Sequence, residues 1–260
     1  MTNAWVPSAG QNESARFRLF CFPHAGGGAS AFGAWPRWMP PSVEVVGVHL
    51  PGREDRLRTP AFSLLDPMLA ALEDALHPYL GLPFAFYGHS LGGWLAFYLA
   101  RRFRRAGLAR PMHIFVAACR APQLESKHPP IHALSPDLFL LELRRRYNNI
   151  PTSIWNDPEM LGLMLPALRA DFALLETIQY QHEAPLDCPI SAYGGQGDAV
   201  ISQLEISAWG EQTSASFSVE MMPGDHFFVK SNPQAFLDRL YGGIRPYVDQ
   251  ATLAEHAGRL

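Results

Sequence analysis

Short apolar runs recur along the chain, each followed by a turn and then by a stretch with helical spacing. The runs lie at 17–22, 43–49, 84–87, 113–118, 189–195 and 217–222, and are of strand length. Strands that are nearly continuous in apolar residues belong to parallel sheets buried on both faces. Between them, Leu65, Met68, Leu69, Leu72 and Leu76 recur at helical spacing within 64–80. Trp94, Leu95, Ala96, Phe97 and Tyr98 begin a second helix, 202–210 reads as a short one, and 233–248 as the closing helix. Strands alternating with helices in this number predict an α/β fold, a mostly parallel central sheet flanked by helices.

The alternation breaks between residues 120 and 183. No strand pattern occurs there, but Ser135-Pro136-Asp137 and Asp157-Pro158-Glu159 each pair a cap with proline at the first helical position. Pro166 is expected to break or kink the second helix. The segment carries Phe139, Tyr147, Trp155, Met160, Met164 and Phe172. It reads as a helical lid inserted at about 121–183 into one domain spanning 1–260, with a plain packing surface as the alternative. Residues 1–15 read as a loose leader.

One junction carries chemistry. The apolar run Phe84-Ala85-Phe86-Tyr87 leads into Gly88-His89-Ser90-Leu91-Gly92 and then directly into a helix. Strand, Gly-x-Ser-x-Gly and helix make the nucleophile elbow of the α/β-hydrolases. The serine must sit in a tight turn to stand clear of the sheet, and side chains at the flanking glycines would strike neighbouring backbone. The Leu91 amide, at the helix start, is then a candidate oxyanion donor. The loop Pro23-His24-Ala25-Gly26-Gly27-Gly28 follows the first strand and lacks the Lys-Ser/Thr of a phosphate-binding loop. It is read as the second oxyanion element, with Ala25 as donor. His24 reads as a structural hydrogen-bonder at the edge of the substrate site, and Met160, Met164 and Phe172 as candidates for the roof of the substrate pocket.

A serine hydroxyl needs a base, and the base an orienting carboxylate. In this fold the chain order is Ser, acid, His. Of ten histidines, His226 follows the last strand in a Gly-Asp-His loop and is the candidate base. Asp198, just past a strand end after glycines, is the candidate acid. Asp225 is read as bracing the histidine loop, and Asp171 and Asp187 as lying off the catalytic edge. Arg53 and Glu54 read as an ion pair bracing their own loop. Arg101, Arg102, Arg104 and Arg105 read as cations at a helix C-terminus, needing no ligand. The expected reaction is acyl transfer through Ser90, with water cleaving the acyl-enzyme; these residues alone leave alcohol, amine or thiol open as the leaving group.

Composition narrows the setting. The chain has 260 residues, 48% hydrophobic and 17% charged, which suits a folded globular protein. A formal charge of -3 gives no basis for nucleic-acid binding. No run approaches a membrane span, and no apolar segment suggests a secretory signal. Cys21, Cys119 and Cys188 lie in or beside strand-like runs without a CxxC, as expected of buried free thiols in a reducing compartment. A cytoplasmic monomer without metal or cofactor is the expectation.

Phe22-Pro23-His24-Ala25-Gly26-Gly27, Leu50-Pro51-Gly52-Arg53-Glu54, Tyr87-Gly88-His89-Ser90-Leu91-Gly92-Gly93, Arg120-Ala121-Pro122, the stretch Leu165 to Phe172, and Pro223-Gly224-Asp225-His226-Phe227-Phe228 together resemble the type II thioesterases of polyketide and nonribosomal peptide pathways. The resemblance runs from about residue 17 to residue 248. It implies an enzyme that hydrolyses acyl groups from the phosphopantetheine thiol of acyl or peptidyl carrier proteins and edits stalled chains, with nucleophile, acid and base on Ser90, Asp198 and His226. The arm is borne by the partner protein and is not a cofactor of this chain. A product-releasing thioesterase, a small-molecule carboxylesterase and a non-catalytic ligand-binding member of the fold are the alternatives.

Overall fold

Six parallel strands form the centre of the molecule: β1 (Phe17–Phe22), β2 (Val43–Gly47), β3 (Phe84–His89), β4 (His113–Ala117), β5 (Ile190–Gly195) and β6 (Phe217–Met222). Their order across the sheet is β2-β1-β3-β4-β5-β6, every neighbouring pair running parallel. The structure is a computed structural model and describes residues 3–147 and 157–257.

The period-2 geometry of a strand sends successive side chains to opposite faces, and the two cores follow from it. Phe20, Phe22, Phe84, Phe86, Ile114 and Val116 face one core. Leu19, Cys21, Ala85, Tyr87, Phe115 and Ala117 face the other. Helices α1 (Leu65–Leu76) and α2 (Leu91–Ala106) cover the first face with Leu69, Leu72, Leu95, Phe97 and Phe103. The closing helix, with Phe236, Leu237, Leu240 and Ile244, covers the second. Each of the four central strands is buried along its whole length, as an apolar run without alternation requires.

Between β4 and β5 the chain makes α3 (Pro136–Tyr147) and α4 (Pro158–Thr177). Asp157 caps α4, accepting from the Met160 amide at 3.0 Å. Their contacting faces, Phe139, Leu143 and Phe172 with Ile131, form a small core apart from the two sheet cores. After β5 come α5 (Gln203–Ser207), started by a capping box of Ser202 and Glu205, then β6, the short α6 (Phe228–Ser231) and α7 (Pro233–Ala257). Among the described residues no helix is long and apolar enough to cross a membrane. Cys21, Cys119 and Cys188 are buried and unpaired.

Several expectations are corrected. α4 is not broken at Pro166, and α7 continues past 248 through Pro246. In both helices the residue four before the proline is glycine, Gly162 and Gly242, with open space where a Cβ would stand, so its carbonyl is free to tilt from the ring. The leader is not loose. Val6 is fully buried, the Asn3 amide donates to Ala75 O (2.7 Å), and the buried Glu44 accepts from the Gln11 and Asn12 amides. Arg101 is more than a terminal cation. It is buried against the Phe97 ring and donates to Gln181 O (2.8 Å) and Gln212 Oε1 (3.1 Å), tying the end of α2 to the chain leaving the insertion. Trp155 lies outside the described residues.

Candidate active site

Ser90 stands between β3 and α2 with φ 53° and ψ -114°. Such a conformation costs on the order of 1–3 kcal/mol in a non-glycine residue and survives only where the surroundings impose it. Here they do. A Cβ on Gly88 would lie 2.1 Å from Gly92 O, and one on Gly92 would lie 2.1 Å from Phe22 O. The turn is pressed against the end of β1 with no room for side chains at those two positions. The Ser90 amide donates to Ala117 O (2.8 Å), tying the turn to β4 as well. Leu91 opens α2, so its amide has no acceptor within the helix and points to the same end of the sheet.

His226 follows β6. The Gly-Asp-His loop closes over β5 at Gly195, where a Cβ would meet Asp225 O at 2.1 Å. His226 is buried, and its Nδ1 donates to Asp198 Oδ2 at 2.8 Å. The other carboxylate oxygen accepts from the Val200 and Ile201 amides (2.8 and 3.1 Å), which fixes the Asp198 rotamer. With a carboxylate accepting at Nδ1, the neutral imidazole keeps Nε2 free to accept a proton. Asp225 braces this loop, accepting from the Phe227 amide at 2.8 Å.

Behind His226 sits His89. Its Nε2 donates to His226 O (2.9 Å), its Nδ1 faces the Tyr87 hydroxyl (3.3 Å), and its ring stacks on Phe227. Full burial pushes its pKa well below the ordinary histidine value, with the neighbouring His226 and His24 adding to the effect. His24 is likewise pushed down to about 4, chiefly by burial. Both rings are therefore neutral packing and hydrogen-bonding groups near pH 7. His89 went unremarked in the sequence because the elbow motif leaves that position open.

Ser90 and His226 together line two cavities. The first, of about 260 Å³, is walled by the loop of His24, Ala25 and Gly26 and by apolar side chains of α3 and α4, among them Leu143, Met164 and Phe172. The second, of about 550 Å³, is the more polar of the two and carries Trp94, Arg120, Gln123, Lys127 and Glu205. Tyr147 and Phe172 line both and mark the boundary. The Tyr147 ring lies 5.1 Å from that of His226. Met160, by contrast, lies outside both: it is exposed and borders a separate crevice near Arg53 and Leu57. The reason is helical phase. Leu161, Met164, Leu168, Phe172 and Leu175 recur every three or four residues on one face, and Met160 is a residue out of step.

Asp171 lies beside that face, on the side of Met160 and Ala167 that meets the Arg53 loop, and its placement overturns two expectations. It is fully buried beside the His24 loop, not off the catalytic edge. Arg53 donates to both its oxygens (2.6 and 2.9 Å), and the Gly26 amide donates to Oδ2 at 2.7 Å. Arg53 also reaches Gly27 O at 3.3 Å. Arg53 therefore pairs with Asp171 and not with Glu54. Glu54 instead accepts from the Ala29 and Ser30 amides and from the Ser30 hydroxyl. Two carboxylates thus hold the two ends of the glycine loop. The available signal was a carboxylate beside the apolar stripe of α4, which burial obliges to find a partner. Asp187, by contrast, is exposed and pairs with Arg110.

Comparison with known proteins identifies the family. The model of the thioesterase domain matches residues 17–242. Gramicidin S biosynthesis protein GrsT of Aneurinibacillus migulanus is 41% identical over 243 residues, covering 94% of each chain. RedJ, a thioesterase from the prodiginine biosynthetic pathway in Streptomyces coelicolor, superposes with a TM-score of 0.82 at 35% identity, over 88% of this chain and 91% of its own. The type II thioesterase BorB from the borrelidin biosynthetic cluster gives 0.82 at 30% identity, over 94% and 98%. With an elbow serine, a carboxylate-held histidine and an apolar cavity under inserted helices, the chain belongs to the thioesterase domain family.

Proposed function

We propose that this thioester hydrolase is an editing, type II enzyme of a nonribosomal peptide or polyketide system, acting on acyl groups carried by carrier-protein phosphopantetheine. The observation that carries the reading is the pair of cavities meeting at Ser90 and His226, one apolar and one more polar. A carrier-bound thioester has two unlike halves. Its acyl chain suits the apolar cavity under α3 and α4, and its amide-bearing arm suits the polar one. Relatives named for gramicidin S and borrelidin biosynthesis support the setting.

In the proposed mechanism His226 Nε2 takes the Ser90 proton as Oγ attacks the thioester carbonyl. Asp198 stabilises the imidazolium without accepting its proton. The Leu91 and Ala25 amides receive the oxyanion; one such donor is typically worth about 10²–10³ in rate. The thiol leaves with a proton from His226, and water activated by the same ring releases the acid. The inserted helices serve as a lid, their inner face forming the acyl wall.

The test compares one acyl group on holo-carrier, on free pantetheine and as a simple ester, at low and high salt, with Ser90→Ala as control. Faster turnover of the carrier-borne thioester is expected. A clear preference for the ester would move the chain to the esterases.

A further inference from the structure

The polar cavity contains one cation whose surroundings do not account for it. Arg120 follows β4 and is only partly exposed at the cavity wall. Its backbone is held firmly: Trp94 Nε1 donates to Arg120 O (2.7 Å), Trp209 Nε1 donates to Cys119 O (2.7 Å), and the Ala121 amide donates to Glu205 O (3.0 Å). The guanidinium lies 5.0 Å from the Trp94 ring centroid. Among the described residues it has no hydrogen bond and no carboxylate within ion-pair distance.

The neighbouring cations differ. Lys127 pairs with Glu205 at 3.2 Å, and Arg146 pairs with Glu142 at 3.2 Å and donates to Pro129 O. Glu205 is further engaged by the Ser202 hydroxyl and amide, and Glu176 by His132 and two backbone amides. Glu205 and Glu176 are thus engaged, and Glu125, which also lines the cavity, makes no ion pair with Arg120. Residues 148–156, which follow Tyr147, contain no acidic side chain. A half-buried guanidinium keeps its charge, and its desolvation, which the nearby Glu205 only partly compensates, has a cost that a bound anion would offset. Stacking on an indole presents the planar donor edge in one orientation, as bidentate recognition of phosphate or carboxylate requires.

We infer that Arg120 is an anion-binding, specificity-determining residue of the substrate cleft, accepting a phosphate or carboxylate group of the thioester substrate in the polar cavity beside Ser90. The inference rests on the thioesterase reading. The anion has two sources, the phosphate of the pantetheine arm or a free carboxylate on the acyl group, and one substrate set separates them. Propionyl and malonyl thioesters of pantetheine and of 4′-phosphopantetheine are compared on the wild type, Arg120→Met and Arg120→Lys. Direct binding of pantetheine and 4′-phosphopantetheine is followed by indole fluorescence.

The wild type should favour either the phosphorylated arm or the malonyl group by about ten- to a hundred-fold in kcat/KM, the range of charge-assisted hydrogen bonds. Arg120→Met should collapse that ratio, and Arg120→Lys should restore part of it. An advantage tied to phosphorylation identifies the arm, and one tied to malonyl identifies the acyl group. If Arg120→Met lowers all four substrates by one common factor, or none of them, the inference is overturned. Failure of the thioesterase reading has a different signature: the wild type would turn over none of the four. Fluorescence then still decides, because 4′-phosphopantetheine binding no tighter than pantetheine, or unaffected by Arg120→Met, would overturn the anion site.

Discussion

Ser90 occupies its strained backbone because Gly88, Gly92 and Phe22 leave no other path. Function and folding therefore make different demands on its side chain. Ser90→Ala should abolish turnover while leaving the unfolding transition where it is, since the backbone strain is set by its neighbours. Asp198→Asn should lower kcat by about 10⁴-fold through the wrong histidine tautomer, with Asp225→Asn far milder; the reverse order would refute the assignment of the acid. Asp171 belongs to the same scale. It holds the Gly26 amide and the Arg53 guanidinium in one buried site. Asp171→Asn places an amide NH₂ against one of those donors and leaves Arg53 without its counter-charge. A drop in kcat of at least tenfold with little change in KM is expected, along with a loss of stability of about 3 kcal/mol, the cost of breaking a buried pair. A variant with wild-type kcat would show that Asp171 serves the fold alone.

Helices α3 and α4 pack on each other through a small core of their own, separate from the sheet cores. Elements held by few buried contacts open more readily than central strands. Amide exchange should accordingly be faster in α3 than in β3 and β4, while the stretch of α4 around Asp171 should be slower than α3 because the buried pair anchors it. Uniform exchange across both helices would contradict this division. The leader behaves in the opposite way. With Val6 buried and Glu44 receiving two leader amides, removal of residues 1–15 should cost roughly 2–4 kcal/mol, read as a lower urea midpoint. A truncated chain with an unchanged midpoint would restore the view of a loose leader.

Among the described residues, three histidines are held neutral by burial. His24 and His113 are pushed down to about 4 by burial, and His89 falls well below the ordinary value. Between pH 6.5 and about 4 the unfolded chain binds protons at these sites and the folded one does not. Stability is therefore complete above pH 6.5 and falls as the pH drops through that window, by up to roughly 3 kcal/mol each for His24 and His113. Urea midpoints should fall steeply between pH 7 and 4.5. His113→Phe should flatten part of that slope, since Ser191 keeps its bond to Ser218; an equal slope in the variant would exclude His113 as a source.

Local pattern was enough for the strands, for the elbow and for the order of Ser90, Asp198 and His226. Each of these is encoded by neighbours in the chain: an apolar run, a pair of glycines beside a serine, a polar residue at a strand end. The starts of α3 and α4, each with proline at the first position, were legible for the same reason. Partners across the fold were not. Arg53 beside Glu54 suggested a local pair, yet a guanidinium and a carboxylate 118 positions apart meet because α4 crosses the glycine loop. Proline 166 looked like a break or kink, and a glycine one turn earlier together with tertiary packing carried the helix through. Met160 and Met164 looked alike in sequence, and only the rotation of α4 on its support sent one into the cavity and the other to solvent. The same holds for the unpaired guanidinium of Arg120, because whether a charge has a partner is decided by what the rest of the chain brings within reach.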